Sequence, residues 1–323
     1  MKGKYVITIA AVITIIIVAS AAIYITYQPG ASPTSGAYTV TDDEGFVTTF
    51  DSVPQRIISL APSNTQILYA IGVGDRVVGV TDYDAYPYNF SAWFEAGNMT
   101  SIGGFSTPNK ETIAQLQPDL LLATTIHDAD LPAFRDLGYK VLVLNPKNVT
   151  SVLNDIIMVG KATGAEQNAT DLVNSISAKI DDIAAKIAAA HLEKPRVYYE
   201  VWYPPLMSAS GTSFIGDVIT LAGGQNIFEN ETDQYPTVSS ESVVNANPQV
   251  ILLPTDMANA GEAPFYGSVD QVKQRPGWDA ISAVQNNRIV IVDGGLFAEA
   301  SPRIAEQIEV TAKALYPELF NST

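Results

Sequence analysis

The segments Glu111–Ala123 (ETIAQLQPDLLLA) and Glu241–Leu253 (ESVVNANPQVILL) are two copies of one pattern. In each copy a glutamate is followed seven residues later by a proline, and an apolar run begins just after that proline. The first part is typical of a short helix that the proline ends, and the apolar run is typical of a buried strand. A pattern that occurs twice in one chain predicts an internal structural repeat.

A second matching pair lies upstream of these copies. Arg56–Pro62 and Arg196–Pro205 each begin with an arginine, continue as an apolar strand-like run and end in a proline-marked loop. We therefore expect the chain to form two similar lobes with a groove between them. Since ligands often bind in a cleft at a domain interface, this groove is the first place to expect a site.

Short apolar runs alternate with helical patterns in both halves, as at Asn64–Ile71 and Leu131–Leu137, and a closing helix is predicted over Arg303–Leu315. This alternation is typical of βα units. It predicts an α/β fold with two lobes, each a mostly parallel sheet with flanking helices. The predicted strands are Arg56–Leu60, Val77–Val80, Leu120–Ala123, Lys140–Leu144, Arg196–Val201, Val250–Leu253 and Arg288–Val292.

Two helical patterns, Ser151–Thr163 and Glu166–Ala190, lie between the halves and are separated by Gly164. The second has one apolar stripe at spacings of three and four residues and predicts a helix about 38 Å long. A helix of that length can join the two lobes as a rigid spine, so we expect only small lobe closure on ligand binding. The stripe consists of Leu172, Ile176, Ile180, Ile183 and Ile187.

The N-terminal segment Tyr5–Tyr27 has no charged residue and predicts a helix of roughly 35 Å, enough to cross a bilayer. Lys2 and Lys4 precede it, so the positive-inside rule puts the start of the chain in the cytoplasm and the rest outside. A cleavable signal peptide cut near Ser20–Ala22 is the alternative.

These features divide the chain into five predicted parts. The predicted parts are 1–28, a membrane anchor or signal peptide with a short cytoplasmic start; 29–38, a tether; 39–150, the N-terminal lobe; 151–193, the helices including the interlobe helix; and 194–323, the C-terminal lobe.

The composition excludes several classes of function. The chain has no cysteine, which removes disulfides, thiolate metal sites, cysteine nucleophiles and a lipid-modified cysteine. A net charge of −16 argues against a nucleic-acid partner, because phosphate contacts need clustered basic residues. Six Asn-x-Ser/Thr sequons agree with an external, glycosylated surface.

His127 is the strongest candidate for chemistry, since it follows a predicted strand where open α/β sheets hold ligands. It could contact a ligand, or it could act with Asp128 or Asp130 in a hydrolytic or metal-dependent surface enzyme. No complete catalytic or metal motif accompanies it, so the sequence predicts no enzyme, no resident metal and no cofactor.

Aromatic side chains gather at the ends of predicted strands and in the loops that follow. Each could simply pack in the core or a loop, but their shared location suits a large, flat, partly apolar ligand. With His127, the predicted ligand-binding residues are Tyr83, Tyr86, Phe105, Trp202, Tyr235 and Phe297.

Glu111 and Glu241 lie at matching positions of the repeat. An acidic residue in the first turn of a helix is stabilised by the helix dipole by about 0.3–1 kcal/mol, which explains either glutamate alone. Matched glutamates on two matched lobes also predict a two-pronged surface for docking a partner.

Taken together, the chain resembles the helical-backbone solute-binding proteins of ABC importers, which capture cobalamin, ferric siderophores and haem. The resemblance extends over nearly all of Pro54–Leu319. In that family paired glutamates engage arginines on the two permease subunits, a role that falls by motif on Glu111 and Glu241. The motifs that carry the resemblance are Pro54–Gly72, Val77–Pro87, Glu111–Asp119, Ala222–Asn226, Tyr235–Glu241 and Ala300–Arg303.

The chain is most similar to the cobalamin-binding branch, whose ligand-facing aromatics map by motif onto Tyr83, Phe105, Trp202 and Tyr235. Phe105 and Tyr235 stand where that branch has tryptophan. Gly295 and Glu299 occupy the loop where the branch can place an aspartate and an arginine against the ligand; Ser301-Pro-Arg follows that loop.

The resemblance therefore implies an extracytoplasmic binding protein that captures a large metal chelate and delivers it to a permease. Cobalamin is the leading ligand, and a ferric siderophore or haem is the alternative. A sensor or adhesion module with a protein partner is a further class of function. The expected location is the cell membrane, with a single-pass anchor and the folded part outside.

Overall fold

The computed structural model describes residues 36–255 and 269–320, and in these ranges the chain forms two five-stranded sheets, two small two-stranded sheets and the helices around them. The elements of the first half are β1 (Tyr38–Thr41), β2 (Val47–Phe50), β3 (Ile57–Ser59), α1 (Pro62–Ala70), β4 (Val77–Val80), α2 (Phe90–Glu95), β5 (Thr100–Ser101), β6 (Gly103–Gly104), β7 (Thr107–Pro108), α3 (Lys110–Leu116), β8 (Leu120–Ala123), α4 (Leu131–Asp136), β9 (Val141–Val143), α5 (Val149–Thr163) and α6 (Glu166–Ala190).

The second half repeats the alternation of strand and helix. Its elements are β10 (Arg196–Trp202), β11 (Met207–Ser208), α7 (Phe214–Leu221), β12 (Gln225–Asn226), α8 (Ser240–Ala246), β13 (Val250–Pro254), α9 (Val269–Lys273), α10 (Ser282–Gln285), β14 (Ile289–Val292), α11 (Gly294–Phe297), α12 (Ile304–Leu315) and α13 (Pro317–Phe320).

The N-terminal sheet has the strand order β5-β4-β3-β8-β9, and all its pairs are parallel. All four residues of β8 and all three of β9 are buried, as expected for strands covered by helices on both faces. The C-terminal sheet has the order β11-β10-β13-β14, with β12 also on β10, and only β11 is antiparallel. The predicted α/β fold with mostly parallel sheets is confirmed.

The internal repeat extends to the hydrogen bonds that end the matching helices. In the first copy Arg56 donates from Nε to the carbonyl of Leu116 at 2.9 Å, at the end of α3. In the second copy Arg196 donates from Nε to the carbonyl of Asn247 at 3.0 Å, just after α8. The carbonyls at a helix C-terminus lack partners within the helix, so each arginine caps one helix end with its guanidinium.

Both helices then end in the same backbone conformation. Gln117 and Asn247 have φ values of 47° and 46°, in the left-handed region that redirects the chain into the next strand. The residues that follow Pro118 and Pro248 also make equivalent hydrogen bonds. Asp119 and Gln249 accept a hydrogen bond from the backbone N–H of Arg56 and Arg196, respectively.

The long helix α6 connects the two halves and has the bounds predicted from the sequence. Five of its residues are buried along one face: Ala169, Val173, Ile176, Ile180 and Ile183. It packs against α5 from the first half and against α12 and α13 from the second. One continuous hydrophobic cluster, which extends from Val40 to Tyr316, therefore includes residues of both lobes and of the helix between them.

A β1–β2 hairpin precedes the first lobe and was not predicted. The buried carboxylate of Asp42 holds its turn, because Oδ1 accepts hydrogen bonds from the backbone N–H groups of Glu44 and Phe46. Oδ2 of Asp42 accepts from the backbone of Val143 at 3.1 Å, which fixes the hairpin to the end of β9. A turn made by a side chain and a distant strand leaves little periodic signal in the sequence.

The predicted membrane helix at Tyr5–Tyr27 lies outside the described residues. Across 36–255 and 269–320, every helix is too short or too polar to cross a bilayer. The boundaries between the five predicted parts stay predictions.

Candidate functional site

The loop after β4 places two exposed tyrosines at the carboxyl end of the N-terminal sheet. Tyr83 is 66% exposed and Tyr86 is 46% exposed. Tyr83 lies beside the β6–β7 hairpin, since a Cβ added to Gly104 would be 3.8 Å from its Cε2. The hairpin loop contains Phe105, which is half-buried, so Tyr83 and Phe105 belong to the same part of the first lobe.

His127 lies behind Phe105 and is only 2% exposed. Its Nε2 lies 2.9 Å from the carbonyl oxygen of Phe105, and its Nδ1 lies 3.1 Å from the backbone nitrogen of Thr124. This pattern assigns the proton to Nε2, which donates to Phe105, while Nδ1 accepts. The two rings also meet edge to face at 5.8 Å. His127 thus positions Phe105 and presents no free nitrogen.

The two acidic residues near His127 do not form a site with it. Asp128 is exposed, and Asp130 forms an ion pair with Lys110 at the start of α3. The enzyme alternative needed a histidine open to a substrate next to one of these carboxylates. In this structure the imidazole is enclosed and both its nitrogens are bound within the protein.

In the second lobe Trp202 and Tyr235 are brought to the same sheet edge. Trp202 ends β10, is 39% exposed and pairs with Met207 of β11. Tyr235 is 42% exposed, and its chain segment runs beside β11, where Ser208 donates to the carbonyl of Pro236 at 3.0 Å. The indole N–H of Trp202 donates to Pro204 at 3.0 Å, which restricts the orientation of the ring.

A buried ion pair supports the next aromatic residue, Tyr203. Arg275 binds Glu200 through two hydrogen bonds of 2.5 and 2.9 Å, and the Glu200 side chain has no exposed surface. The same guanidinium lies 4.2 Å from the ring centre of Tyr203 and 4.7 Å from that of Trp278. A planar guanidinium suits both contacts at once.

A pocket of about 460 Å³ opens next to Tyr203 and has Glu241 among its lining residues. Its other lining residues are Leu206, Ser240, Val244, Arg275, Pro276 and Gly277.

Phe297 does not reach the surface. It is 2% exposed and stacks on Tyr199 of β10, with ring centres 6.0 Å apart. It belongs to the continuous core cluster, below the loop that leads to Glu299. Any effect of Phe297 on a ligand in this conformation therefore acts through the position of that loop.

Five polar or aromatic residues lie where the loops of the two lobes approach each other, and we call them the interlobe floor: Gln66, Asp84, Tyr86, Glu299 and Arg303. The amide of Gln66, on α1, donates a hydrogen bond to the carboxylate of Glu299 in the second lobe. The guanidinium carbon of Arg303 lies 4.5 Å from the ring centre of Tyr86. These two contacts join the loops at the carboxyl ends of both sheets.

Burial changes the acidity of the interlobe floor. It raises the pKa of Asp84 to about 6, although the neighbouring Thr65 hydroxyl and the hydrogen bonds from Thr81 oppose the shift. It raises the pKa of Glu299 to about 7, and the nearby charge of Asp84 adds to this effect while Arg303 opposes it. Desolvation penalises the charged form of a carboxyl group, and a neighbouring carboxylate does the same.

The predicted docking residues Glu111 and Glu241 are both exposed and lie in the first turns of α3 and α8. The side chain of Asn109 caps the first helix by accepting from the backbone N–H of Glu111 at 3.1 Å. The hydroxyl of Ser239 caps the second helix by accepting from the backbone N–H of Ser242 at 3.0 Å. Each carboxylate is therefore carried by a short helix whose N-terminus is capped by another side chain.

The structure thus groups Tyr83 with Phe105, Trp202 with Tyr235, and Tyr86 with Arg303, while His127 and Phe297 lie behind the surface. Sequence reasoning did not identify Gln66 or Asp84. Their signals were weak: Asp84 is a polar residue in the loop after a predicted strand, and Gln66 is a polar residue in an apolar helical pattern.

The profile of the family described as periplasmic binding protein matches residues 57–295. Since this match covers more than half of the chain, the chain belongs to the periplasmic binding protein family. Members of this class bind solutes and are not enzymes. The resemblance predicted from the motifs is confirmed.

Curated relatives narrow the class. An uncharacterized ABC transporter substrate-binding lipoprotein of Bacillus subtilis (strain 168), YvrC, is 32% identical over 292 residues, which cover 87% of this chain and 86% of that protein. A vitamin B12-binding protein of Vibrio cholerae is 27% identical over 258 residues, which cover 79% of this chain and 87% of that protein. The chain is a substrate-binding protein of the ABC transporter type.

Solved structures agree on the fold. A possible iron-binding periplasmic solute-binding protein from Staphylococcus epidermidis has a TM-score of 0.71 and 29% identity, covering 82% of this chain and 100% of that one. The vitamin B12-binding protein BtuF of Vibrio cholerae has a TM-score of 0.65 and 26% identity, covering 84% and 99%. These neighbours are two-lobed binding proteins, which confirms the predicted architecture.

Proposed function

We propose that this protein captures a large metal chelate between its lobes and delivers it to an ABC importer permease, with a corrinoid such as cobalamin as the leading ligand. The observation that carries the proposal is the set of exposed aromatic rings at the strand ends of both lobes. Tyr83, Tyr86, Trp202 and Tyr235 expose between 39% and 66% of their surface. Exposed rings offer flat, partly apolar area to a macrocycle.

Phe105 completes this surface, and His127 and Phe297 support it from behind. The similarity to vitamin B12-binding proteins favours a corrinoid over the other chelates. Haem and ferric siderophores remain alternative ligands of the same site.

The ligand is identified by its absorbance. The detergent-solubilised full chain is dialysed separately against cyanocobalamin, hemin and ferrichrome, and the retained chromophore is measured. We expect cyanocobalamin to be retained, and Trp202→Ala to weaken its binding roughly tenfold through loss of about 1.4 kcal/mol of contact. Leu192→Ala removes an exposed apolar side chain after the long helix and serves as the matched control. Retention of none of the three compounds would overturn the proposal.

Glu111 and Glu241 are proposed to dock on arginines of the two permease subunits. Both carboxylates are exposed and stand at equivalent positions of the repeat. Close charge pairs across an interface are coupled by about 1.5–7 kcal/mol, whereas exposed pairs within one protein contribute about 0–1 kcal/mol.

Reversal of both glutamates to arginine separates docking from capture. We expect ligand affinity to persist while uptake by cells or vesicles that contain the permease is lost. Asp171→Arg with Glu193→Arg makes the same charge change on and after the long helix and should leave uptake intact. Loss of ligand affinity in the Glu111→Arg/Glu241→Arg variant would show that these glutamates belong to the ligand site.

The segment Tyr5–Tyr27 is proposed to hold the protein on the outer face of the cell membrane as an uncleaved anchor, and the sequons to carry glycans. Alkaline extraction of membranes tests the anchor, since a membrane-spanning helix stays in the pellet. Mass spectrometry of the N-terminal peptide separates this outcome from a cleaved signal peptide and reports glycosylation of the sequons.

A further inference from the structure

We propose that the interlobe floor selects chelates that present hydrogen-bond donors and no negative charge, with Glu299 as the residue that decides this selectivity. The inference rests on the proposed function, because it describes the ligand edge that this site accepts. The floor would discriminate between uncharged, amide-bearing chelates and chelates with carboxylate groups.

The floor contains two buried oxygen atoms that can accept a hydrogen bond from a ligand. Asp84 and Gln66 are 2% and 5% exposed. One oxygen of each, Oδ1 of Asp84 and Oε1 of Gln66, has no hydrogen-bond partner among the residues that the structure describes. The other oxygen of Asp84 accepts from the backbone and hydroxyl of Thr81 at 2.8 and 2.7 Å, so the side chain is held in place. A buried acceptor without a partner costs about 1–3 kcal/mol. A ligand amide N–H can remove this cost, whereas a carboxylate has no hydrogen to donate.

The charges around Glu299 disfavour an anionic ligand. Asp84 and Asp293 both act on Glu299 as negative charges. Arg303 faces the same carboxylate, but its Nε and Nη2 already bind Glu306 at 2.8 and 3.0 Å, and its guanidinium lies on Tyr86. An anionic ligand would meet carboxylates here and an arginine whose fork is occupied, so its negative charge would be repelled.

The charge of the floor changes with pH. The charged groups that face Glu299 are Asp84, Asp293 and Arg303, and Arg303 in turn faces Glu306 and Tyr86. With pKa values of about 7 for Glu299 and about 6 for Asp84, the floor gains negative charge between pH 5.5 and 8. Selection against an anionic ligand should therefore strengthen over this interval.

The test compares two ligands that differ in one group: cyanocobalamin and its monocarboxylic acid, in which one side-chain amide is hydrolysed. Equilibrium dialysis with the full chain gives both affinities from the corrin absorbance. At pH 8 we expect the amide form to bind about tenfold more tightly, and this ratio to fall to about twofold at pH 5.5.

Glu299→Gln keeps the size of the side chain and removes its charge, so it should lower the ratio at pH 8 to about threefold. Glu193→Gln removes the same charge from an exposed residue before β10, at the opposite edge of the sheet, and should leave the ratio unchanged. The pH series on the unmodified protein tests the proposal independently of the folding of any variant.

Equal affinity for the two corrinoids at pH 8, or an unchanged ratio in Glu299→Gln, overturns the selectivity while the transport function stands. Tighter retention of hemin, which carries two propionates, has the same meaning. Failure to retain cyanocobalamin, hemin or ferrichrome overturns the proposed function itself, so the two failures are distinguishable.

Discussion

Several side chains in this protein have structural roles that their residue type alone does not predict. His127 binds a backbone carbonyl and holds an aromatic loop, although a histidine near two aspartates suggests catalysis. Glu200 is enclosed and paired with Arg275 beneath Tyr203, so a charged residue inside a strand supports a surface ring. In both cases the environment and not the functional group determines the role.

Asp155, on α5, is a buried acidic residue. It is 1% exposed, and neither of its carboxylate oxygens accepts a hydrogen bond from any residue in the described part of the chain. Burial raises its pKa to about 9, and the facing carboxyl group of Asp43 adds to the shift. Two carboxyl groups can share a hydrogen bond only while one is protonated, so Asp155 keeps its proton at neutral pH.

We predict that Asp155→Asn stabilises the protein at pH 8 by about 1–3 kcal/mol, because the aspartate must take up a proton on folding at that pH and the asparagine need not. The unfolded-state pKa is 3.8 and the folded-state pKa is about 9, so folding takes up a proton between these values. The free energy of unfolding should therefore fall as pH rises from about 4 toward 9. The asparagine, which donates to Asp43 at any pH, should reduce this slope in urea unfolding between pH 6 and 9.

Asp171→Asn, on the exposed face of α6, is the control and should change neither stability nor slope. A wild-type slope retained in Asp155→Asn would show that another group takes up the proton.

Among the elements, each lobe contains the same repeated unit: an arginine, a short helix capped at its N-terminus, and the strand that follows. Arg56, just before β3, and Arg196, at the start of β10, donate hydrogen bonds to the C-terminal ends of α3 and α8, respectively. The glutamates proposed to dock on the permease thus stand on helices that are fixed at both ends. The helix pair α5–α6 has a different constraint, since it is packed closely at Gly160.

A Cβ added at Gly160 would lie 2.4 Å from the Cβ of Ala169 on α6, well inside contact distance. Replacement of glycine by alanine inside a helix normally gains about 0.5–1 kcal/mol. Here overpacking, which costs about 1–3 kcal/mol, opposes that gain. We predict that Gly160→Ala lowers the free energy of unfolding by about 1–2 kcal/mol, measured by chemical denaturation.

The partner substitution Ala169→Gly should restore most of the stability lost in Gly160→Ala, because it removes the methyl group in the way. Lys161→Ala, at the neighbouring exposed position, is the control for helix propensity. If the double variant is no more stable than Gly160→Ala, steric crowding between these helices is not the cause.

At the scale of the whole described fold, the lobes share one hydrophobic cluster and one long helix. Lys179 of α6 also forms an ion pair with Glu309 of α12, and Glu309 pairs with Lys313 at 2.7 Å. A wide hinge opening would break these contacts and expose buried apolar surface, which costs about 25 cal/mol per Å². The spine therefore favours small closing motions over large ones.

We predict that cyanocobalamin changes the separation of the lobes by less than roughly 5 Å. Because the chain has no cysteine, spin labels can be attached at Gln115→Cys and Asn245→Cys alone. These exposed positions are equivalent on α3 and α8, and pulsed electron resonance reports the distance between them. A shift greater than about 10 Å on ligand addition would contradict the rigid spine.

The regular elements were predictable because they follow hydrophobic period and proline position. Val77–Val80, Leu120–Ala123 and Glu166–Ala190 have the predicted bounds, since each is long or apolar enough for its period to dominate. The β1–β2 hairpin was not predictable in this way, because Asp42 and the distant Val143 define its turn.

The sequence alone determined the α/β class, the two repeated halves, the long connecting helix and the positions of the paired glutamates. These follow from local pattern, which a single chain segment contains in full. Only the tertiary structure decided that His127 and Phe297 lie behind the surface, that Gln66 binds Glu299 across the lobes, and that the charge of Asp84 acts on Glu299. Burial and pairing depend on residues more than two hundred positions apart, as between Gln66 and Glu299, and no local pattern encodes such a contact.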